Sequence, residues 1–294
     1  MEQTWFITGS SRGFGRALVR AALQAGDRVA ATARRPERLA DLVEEFGDRI
    51  RPIALDVTDP EAARTALAEA RARFGRIDVL VNNAGYANVS PIETTEDADF
   101  RAQFDTNFWG VYHVTKAAIP MLREQKGGLV IQFSSVGGRV GGSPGIASYQ
   151  AAKFAIDGFS RVLRAETAPF GVKVLVVEPS GFRTDWAGSS MVVHDVPEAY
   201  EETVGAVNRR LRRNDAGAGA AGDPVRAAEI LVRVAKRRDI PDHLPLGVNA
   251  AEGSIAMDRR LLADDTKWRA VSRSADFAEA YPVAFPPDSP DSAD

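Results

Sequence analysis

The 294-residue chain has no cysteine. Disulfides and thiolate metal sites are therefore excluded, and a reducing, cytoplasmic setting is the natural expectation. Histidine is almost as scarce. His113, His194 and His243 are the only three, and their spacing forms no metal set. His113 reads as a structural residue on a helix, and His194 as a residue of a variable loop. No apolar run reaches the roughly 18 residues a membrane span needs. The first residues, Met1-Glu2-Gln3-Thr4-Trp5-Phe6-Ile7, lack the basic stretch of a secretory leader. Neither sign of charge dominates. The 37 Lys+Arg and 40 Asp+Glu leave a net charge of -3, so neither nucleic acid nor an anionic membrane is expected as a partner. The one basic run, Arg209-Arg210-Leu211-Arg212-Arg213, reads as a solvated face.

What is present is a regular alternation. Near-continuous apolar runs at Gln3–Thr8, Arg28–Ala33, Arg51–Asp56, Val79–Asn82, Leu129–Phe133 and Lys173–Glu178 read as parallel strands buried on both faces. Helical patterns lie between them, at about Gly13–Gly26, Pro36–Phe46, Pro60–Phe74, Thr94–Gln125 with a break, and Ser148–Phe170. The class expected is α/β, a doubly wound parallel sheet of about seven strands with helices on both faces. Beyond Glu178 the pattern loosens. Gly181–Val196 reads as a loop, Pro197–Arg213 as a charged helix and Ala216–Gly222 as a small-residue linker, after which Asp223-Pro224 opens another helix. The organisation expected is one nucleotide-binding and catalytic domain over residues 1–280. Its substrate loop would span about 185–222, with a flexible tail over 281–294.

The first strand runs into Thr8-Gly9-Ser10-Ser11-Arg12-Gly13-Phe14-Gly15, and a helix follows at once. Glycines there let backbone approach a pyrophosphate, and the helix start supplies free N–H groups and partial positive charge. The end of the second strand distinguishes the cofactors. An NAD site offers an acid to the ribose 2′-hydroxyl. This chain has Ala33 followed by Arg34 and Arg35, with no carboxylate before Glu37. A guanidinium grips a 2′-phosphate, and Arg12 is within reach of the same group. NADP(H) is favoured, with NAD(H) as the other possibility and a solvated Arg34 as the plainer reading.

Tyr149 and Lys153 lie four residues apart in Ser148-Tyr149-Gln150-Ala151-Ala152-Lys153, which on a helix places them on one face. Unit charges about 4 Å apart at an effective dielectric of about 20 interact by about 4 kcal/mol. The expectation is that Lys153 lowers the phenol's pKa toward the range of an acid/base catalyst.

Taken in order, these motifs resemble the short-chain dehydrogenase/reductase family over about residues 3–190. Thr8–Gly15 is similar to its TGxxxGxG turn, Leu55-Asp56-Val57 to the third-strand end whose Asp and next residue flank the adenine, and Asn82-Asn83-Ala84-Gly85 to its NNAG. Asn107, Ser135, Tyr149 and Lys153 match its catalytic tetrad. The resemblance implies hydride transfer between the nicotinamide and a ketone, aldehyde or secondary alcohol. Tyr149 would be the general acid/base and Ser135 would hold the substrate oxygen. Lys153 would bond the nicotinamide ribose, and Asn107 would help fix a relay water. The cofactor-binding set it implies is Gly9, Ser11, Arg12, Gly13, Phe14, Gly15, Arg34, Asp56, Val57, Asn83, Ala84, Gly85, Tyr149, Lys153, Pro179, Gly181 and Thr184.

Two departures matter. Ser135 stands 14 residues before Tyr149 where the family more often has 13, which leaves Ser134 as a fallback. The family's Pro-Gly is here Pro179-Ser180-Gly181. Asn83 has two readings, packing on the cofactor or bonding backbone alone.

Trp186, Met191, Val192 and Val193 favour an apolar substrate, and Arg183 reads as bonding backbone or cofactor. A homodimer or homotetramer through the helices near 94–125 and 148–170 is implied by the resemblance. A nucleotide-binding sensor with little chemistry and an isomerase or lyase variant are the competing functions. The intact Tyr149–Lys153 pair argues against the sensor.

Overall fold

The computed structural model describes residues 2–184, 191–213 and 220–287. Seven parallel strands form one sheet in the order β3-β2-β1-β4-β5-β6-β7. They are β1 Thr4–Ile7, β2 Arg28–Ala33, β3 Ile50–Ala54, β4 Val79–Asn82, β5 Gly128–Phe133, β6 Val172–Pro179 and β7 His243–Leu246. The α-helices among the described residues are α1 Gly13–Gln24, α2 Ala40–Phe46, α3 Pro60–Phe74, α4 Asp97–Phe104, α5 Gly110–Glu124, α6 Ala147–Thr167, α7 Ala206–Arg213, α8 Pro224–Ala235 and α9 Val248–Arg273.

Alternation along each strand produces the two layers. Trp5 and Ile7, Val29 and Ala31, and Val79 and Val81 face one apolar cluster together with Leu18, Leu23, Leu231 and Val232 of α1 and α8. Phe6, Ala30 and Leu80 face the other, against Leu67 of α3, Val114 and Leu122 of α5, and Leu163 of α6. Both faces are thus covered, as a parallel sheet requires. Helix starts follow the sequence. Asp59 caps α3 by accepting from the amides of Glu61 and Ala62, and Asp223 caps α8 through Val225 and Arg226, each with Pro at the first helical position.

Several elements differ from the sequence-based expectation. The helix expected over 94–125 with a break starts at Asp97, and the break is a π-helical turn, Asp105–Trp109. The helix expected over 197–213 is α-helical only in α7, after a 3-10 turn at Glu198–Tyr200 and a π turn at Glu201–Gly205. β7 and the 26-residue α9 had no assignment from the pattern. Strand order reverses between β1 and β4, and at their carboxyl ends lies the crevice where open α/β sheets bind ligands.

Candidate active site

The turn after β1 is shaped by two glycines. Gly9 has φ +68°, and a Cβ there would meet Ala84 Cα at 2.9 Å. A Cβ on Gly15 would meet the Gly9 carbonyl at 2.3 Å. Only glycine suits either place. The loop after β4 holds this turn. Thr8 Oγ1 accepts from the amides of Asn83 (2.9 Å) and Ala84 (3.1 Å), while Asn83 Nδ2 donates to the carbonyls of Thr8 (3.0 Å) and Gly9 (3.2 Å). Asn83 Nδ2 is thus bonded to backbone and helps hold the turn.

α1 starts at Gly13 without a side-chain cap, so its first amides keep their donors for a ligand. Ser11 and Arg12 are half-buried on the turn. Phe14 packs its ring on Phe133 (5.4 Å) and Phe182 (4.7 Å). This brings the segment after β6 over the turn, where Thr184 Cβ lies 3.5 Å from a Cβ built on Gly13. Pro179 ends β6, and Gly181 follows as an exposed residue. Arg34 is exposed just beyond β2. Asp56 is exposed beyond β3 and accepts from Thr58 N and Oγ1 at 3.0 and 2.8 Å. Val57 is buried, and its carbonyl meets His113 Nδ1 at 3.2 Å, which makes His113 structural as expected.

At the end of β5 the two serines diverge. Ser134 Oγ donates to the carbonyl of Lys153 (3.0 Å) and faces the interior. Ser135 caps a single turn, Val136–Gly138, by accepting from Gly137 N at 3.0 Å, and its hydroxyl is hydrogen-bonded to Tyr149. Of the two candidates, Ser135 meets the phenol. Between Ser135 and Tyr149 the chain turns at Gly141, Gly142 and Gly145, whose φ values are +69°, +76° and +84°.

Tyr149 and Lys153 occupy one face of α6, both buried, with Nζ 5.6 Å from the phenol ring centroid and donating to Phe133 O at 2.7 Å. Gly138 lets α6 close on this turn, because a Cβ there would lie 2.7 Å from Lys153 Cβ. Gly85 does the same for Asn107, whose Oδ1 lies 2.5 Å from the position of its missing Cβ. Asn107 sits in the π turn, fully buried. Its Oδ1 accepts from Tyr86 N (3.1 Å), and its Nδ2 donates to Tyr86 O and Gln103 O (2.8 Å each). Its side chain fixes the loop after β4, and a π turn is a frequent mark of a functional site.

Electrostatics here run against the sequence-based expectation for the phenol. Burial pushes Tyr149 up to about 12, with the Ser135 hydrogen bond pulling the other way. Burial pulls Lys153 down to about 7. An ammonium favours a neighbouring phenolate only while it stays charged, and Lys153 sits where its own charge is poorly solvated. Desolvation is the leading cause of both shifts.

Tyr149 is part of a small apolar cluster with Ala87, Val89, Ile146 and Val204, and Met191 and Val193 pack against it. The segment from Met191 is pinned by polar contacts. Val192 N donates to Asn88 Oδ1 (3.0 Å), His194 N donates to Val89 O (3.0 Å), and His194 Nε2 lies 3.5 Å from Asp99 Oδ2. Asn88, Asp99 and Gln103 carry no sequence motif, and only their convergence in space reveals them. Arg183 Nε donates to Ala220 O (3.0 Å), a backbone bond, one of the two roles expected for it. Trp186 and most of the linker over 216–222 lie outside the described residues. Among the described residues no cluster of His, Asp and Glu could hold a metal, and no helix is long and apolar enough to cross a membrane.

Comparison with known proteins agrees with this geometry. Residues 3–191 match the short chain dehydrogenase family, and the chain belongs to that family of oxidoreductases. It is 48% identical over 273 residues to Oxidoreductase BOA17 of Botryotinia fuckeliana, covering 92% of this chain and 98% of that one. A crystal structure of a short-chain dehydrogenase from Streptomyces avermitilis superposes with a TM-score of 0.87 at 39% identity, covering 94% of this chain and all of that one. An alcohol dehydrogenase from the archaeon Thermococcus sibiricus, solved with 5-hydroxy-NADP, superposes with a TM-score of 0.68 at 25% identity, over 84% of this chain and 96% of that one.

Proposed function

We propose that this chain transfers a hydride between NADP(H) and an apolar ketone or aldehyde, or the corresponding secondary alcohol. The observation that carries this reading is the Ser135–Tyr149 hydrogen bond beside Lys153; the apolar side chains around Tyr149, with Met191 and Val193 packed against them, support an apolar substrate. The chain fits a dinucleotide. The Gly9–Gly15 turn is closed to side chains, the start of α1 is uncapped, and Lys153 Nζ has three donors with the Phe133 carbonyl accepting one. The nicotinamide supplies the hydride chemistry.

The protein's own groups handle the proton. Tyr149 Oη gives a proton to the carbonyl oxygen in reduction and takes it back in the reverse direction. A phenol that burial keeps protonated suits the donor role. Ser135 Oγ, held by Gly137 N, presents a second donor to the oxygen as charge develops on it. Lys153, near neutrality in its proton affinity, is placed to resupply Tyr149 and to bond ribose hydroxyls. Asn107 keeps the Tyr86 loop in register with Lys153.

The preference for NADP(H) rests on Arg34, which follows the buried Ala33 where an acid would stand, and on the bound 5-hydroxy-NADP of the Thermococcus relative. Replacing Arg34 by Asp should move the NADPH/NADH affinity ratio toward NADH by about tenfold or more, read by fluorescence titration. An unchanged ratio would refute the assignment of Arg34. Exposed Trp109, Phe154 and Val162, on the π turn and α6, support self-association through these helices. Light scattering should then give a multiple of the 31.7 kDa chain mass.

A further inference from the structure

Behind the site lies a buried carboxylate that the proposed chemistry does not use. Glu178, on β6 next to Pro179, is 1% exposed. Arg139 Nη1 donates to its Oε2 at 3.1 Å, and His243 Nδ1 lies 2.9 Å from its Oε1. The cluster extends in two directions. Arg139 Nη2 donates to Asp258 of α9 at 2.7 Å, and His243 Nε2 lies 3.3 Å from Asp157 Oδ1, one turn past Lys153 on α6. Glu178 thus joins three segments of the candidate site from beneath: the Ser135 turn, the Tyr149–Lys153 helix and the end of β6.

Arg139 has a particular place in this cluster. It closes the single turn that Ser135 opens, its amide bonding Val136 O at 3.2 Å while Gly138 N bonds Ser135 O at 2.9 Å. Between them stand Val136 and two glycines, and beyond them come the left-handed Gly141, Gly142 and Gly145. Ser134 and Ser135 hold the start of this segment, and beyond them glycine gives it wide backbone freedom. The Arg139 guanidinium supplies the anchor, and Glu178 needs it equally. A carboxylate this deeply buried is costly without a charged, hydrogen-bonded partner, and the planar fork of an Arg meets that need while also reaching Asp258.

We propose that Arg139, through its ion pair with buried Glu178, is a positioning residue that holds the Ser135 turn against Tyr149. The proposal rests on the reading of Ser135 and Tyr149 given above and adds the residue that aims them. A turn displaced by about 1 Å can lose about a hundredfold in rate while binding is left alone.

The test uses three variants of the full chain: Arg139→Met, Arg139→Lys and the double variant Arg139→Met/Glu178→Gln. The first readout is amide hydrogen exchange by mass spectrometry over residues 134–140, which needs no substrate. Exchange should quicken by about tenfold or more in Arg139→Met and stay fast in the double variant. The melting temperature of the double variant should recover toward wild type, because no buried charge is left unpaired. The second readout is steady-state turnover of a carbonyl substrate. In both variants kcat should fall by about tenfold or more, with the KM for the nicotinamide cofactor within about twofold of wild type. Arg139→Lys should recover part of the loss, since it keeps the charge without the fork.

Exchange in Arg139→Met within about twofold of wild type would overturn the proposal. So would a double variant whose kcat recovers together with its melting temperature, since Arg139 would then act on stability alone. If the wild-type protein turned over no carbonyl compound, the functional reading would fall, and the exchange experiment would still decide the role of Arg139.

Discussion

Burial acts on Tyr149 and Lys153 in opposite senses, and the consequence for stability can be worked out. Lys153 is held at about 7 in the folded chain against an ordinary 10.5. Between those values the unfolded chain binds a proton that the folded chain does not, so stability rises with pH across that window. Below about 7 both states are protonated and the full cost of the buried ammonium is present. Tyr149, held up at about 12 against an ordinary 10, works the other way and removes stability only above pH 10. The melting temperature of the wild-type protein should therefore climb from about pH 7 to about pH 9 relative to that of Lys153→Met. Parallel curves for the two proteins would show that Lys153 is not desolvated as described.

The pairing of these residues was legible in the sequence because four residues make about one helical turn. The sense of the phenol's shift was not, because it depends on how much water the fold removes. The choice between Ser134 and Ser135 was equally closed to the sequence. It turns on which way β5 directs two successive side chains, and one of them is taken by the Lys153 carbonyl.

Among the elements, the glycine turn is the most tightly determined. A methyl group on Gly15 would collide with the Gly9 carbonyl at 2.3 Å, and Asn83 blocks retreat because its Nδ2 lies at 2.6 Å from the same point. Gly15→Ala should lower stability by about 1–3 kcal/mol and weaken nucleotide binding together with it. Chemical denaturation and nucleotide titration check the two effects, and an unaffected midpoint with normal binding would contradict the packing described.

The five inner strands were readable because parallel strands buried on both faces are apolar throughout, and the edge strand β3 was read as well. β7 was not. It is a four-residue edge strand, His243–Leu246, that contains Pro245, a residue tolerated in a sheet only where no inner ladder bond is needed. α9 was hidden for a related reason. Only Ala250 and Ser254 of its 26 residues are buried, so it leaves no apolar stripe for a periodicity to reveal. The π turn at Asp105–Trp109 appeared in the sequence only as a break without a cause.

At the scale of the whole molecule, buried charges tie distant parts of the chain together. Asp27, fully buried between α1 and β2, accepts from Gln3 N (3.0 Å), Trp5 Nε1 (3.1 Å) and Lys236 Nζ (3.0 Å). It joins the start of β1 to the end of α8. Asp27→Ala would leave these donors without their acceptor and should cost about 3 kcal/mol or more, seen as a lower denaturation midpoint with nucleotide affinity little changed. A loss below about 1 kcal/mol would mean that water replaces the carboxylate. Neither this joint nor the Glu178 cluster was marked in the sequence. Each is assembled from residues separated by tens to hundreds of positions, and isolated Asp, Glu and Arg residues look the same whether they end up buried or solvated.

The central claim is that Tyr149 carries the proton in a hydride-transfer reaction. It is tested most directly by comparing wild type with Tyr149→Phe for NADPH binding by fluorescence and for NADPH oxidation against ketones and aldehydes. The expected result is binding within about twofold of wild type and turnover lower by about 10²–10⁴-fold. Turnover unchanged by the loss of that one hydroxyl would contradict the claim.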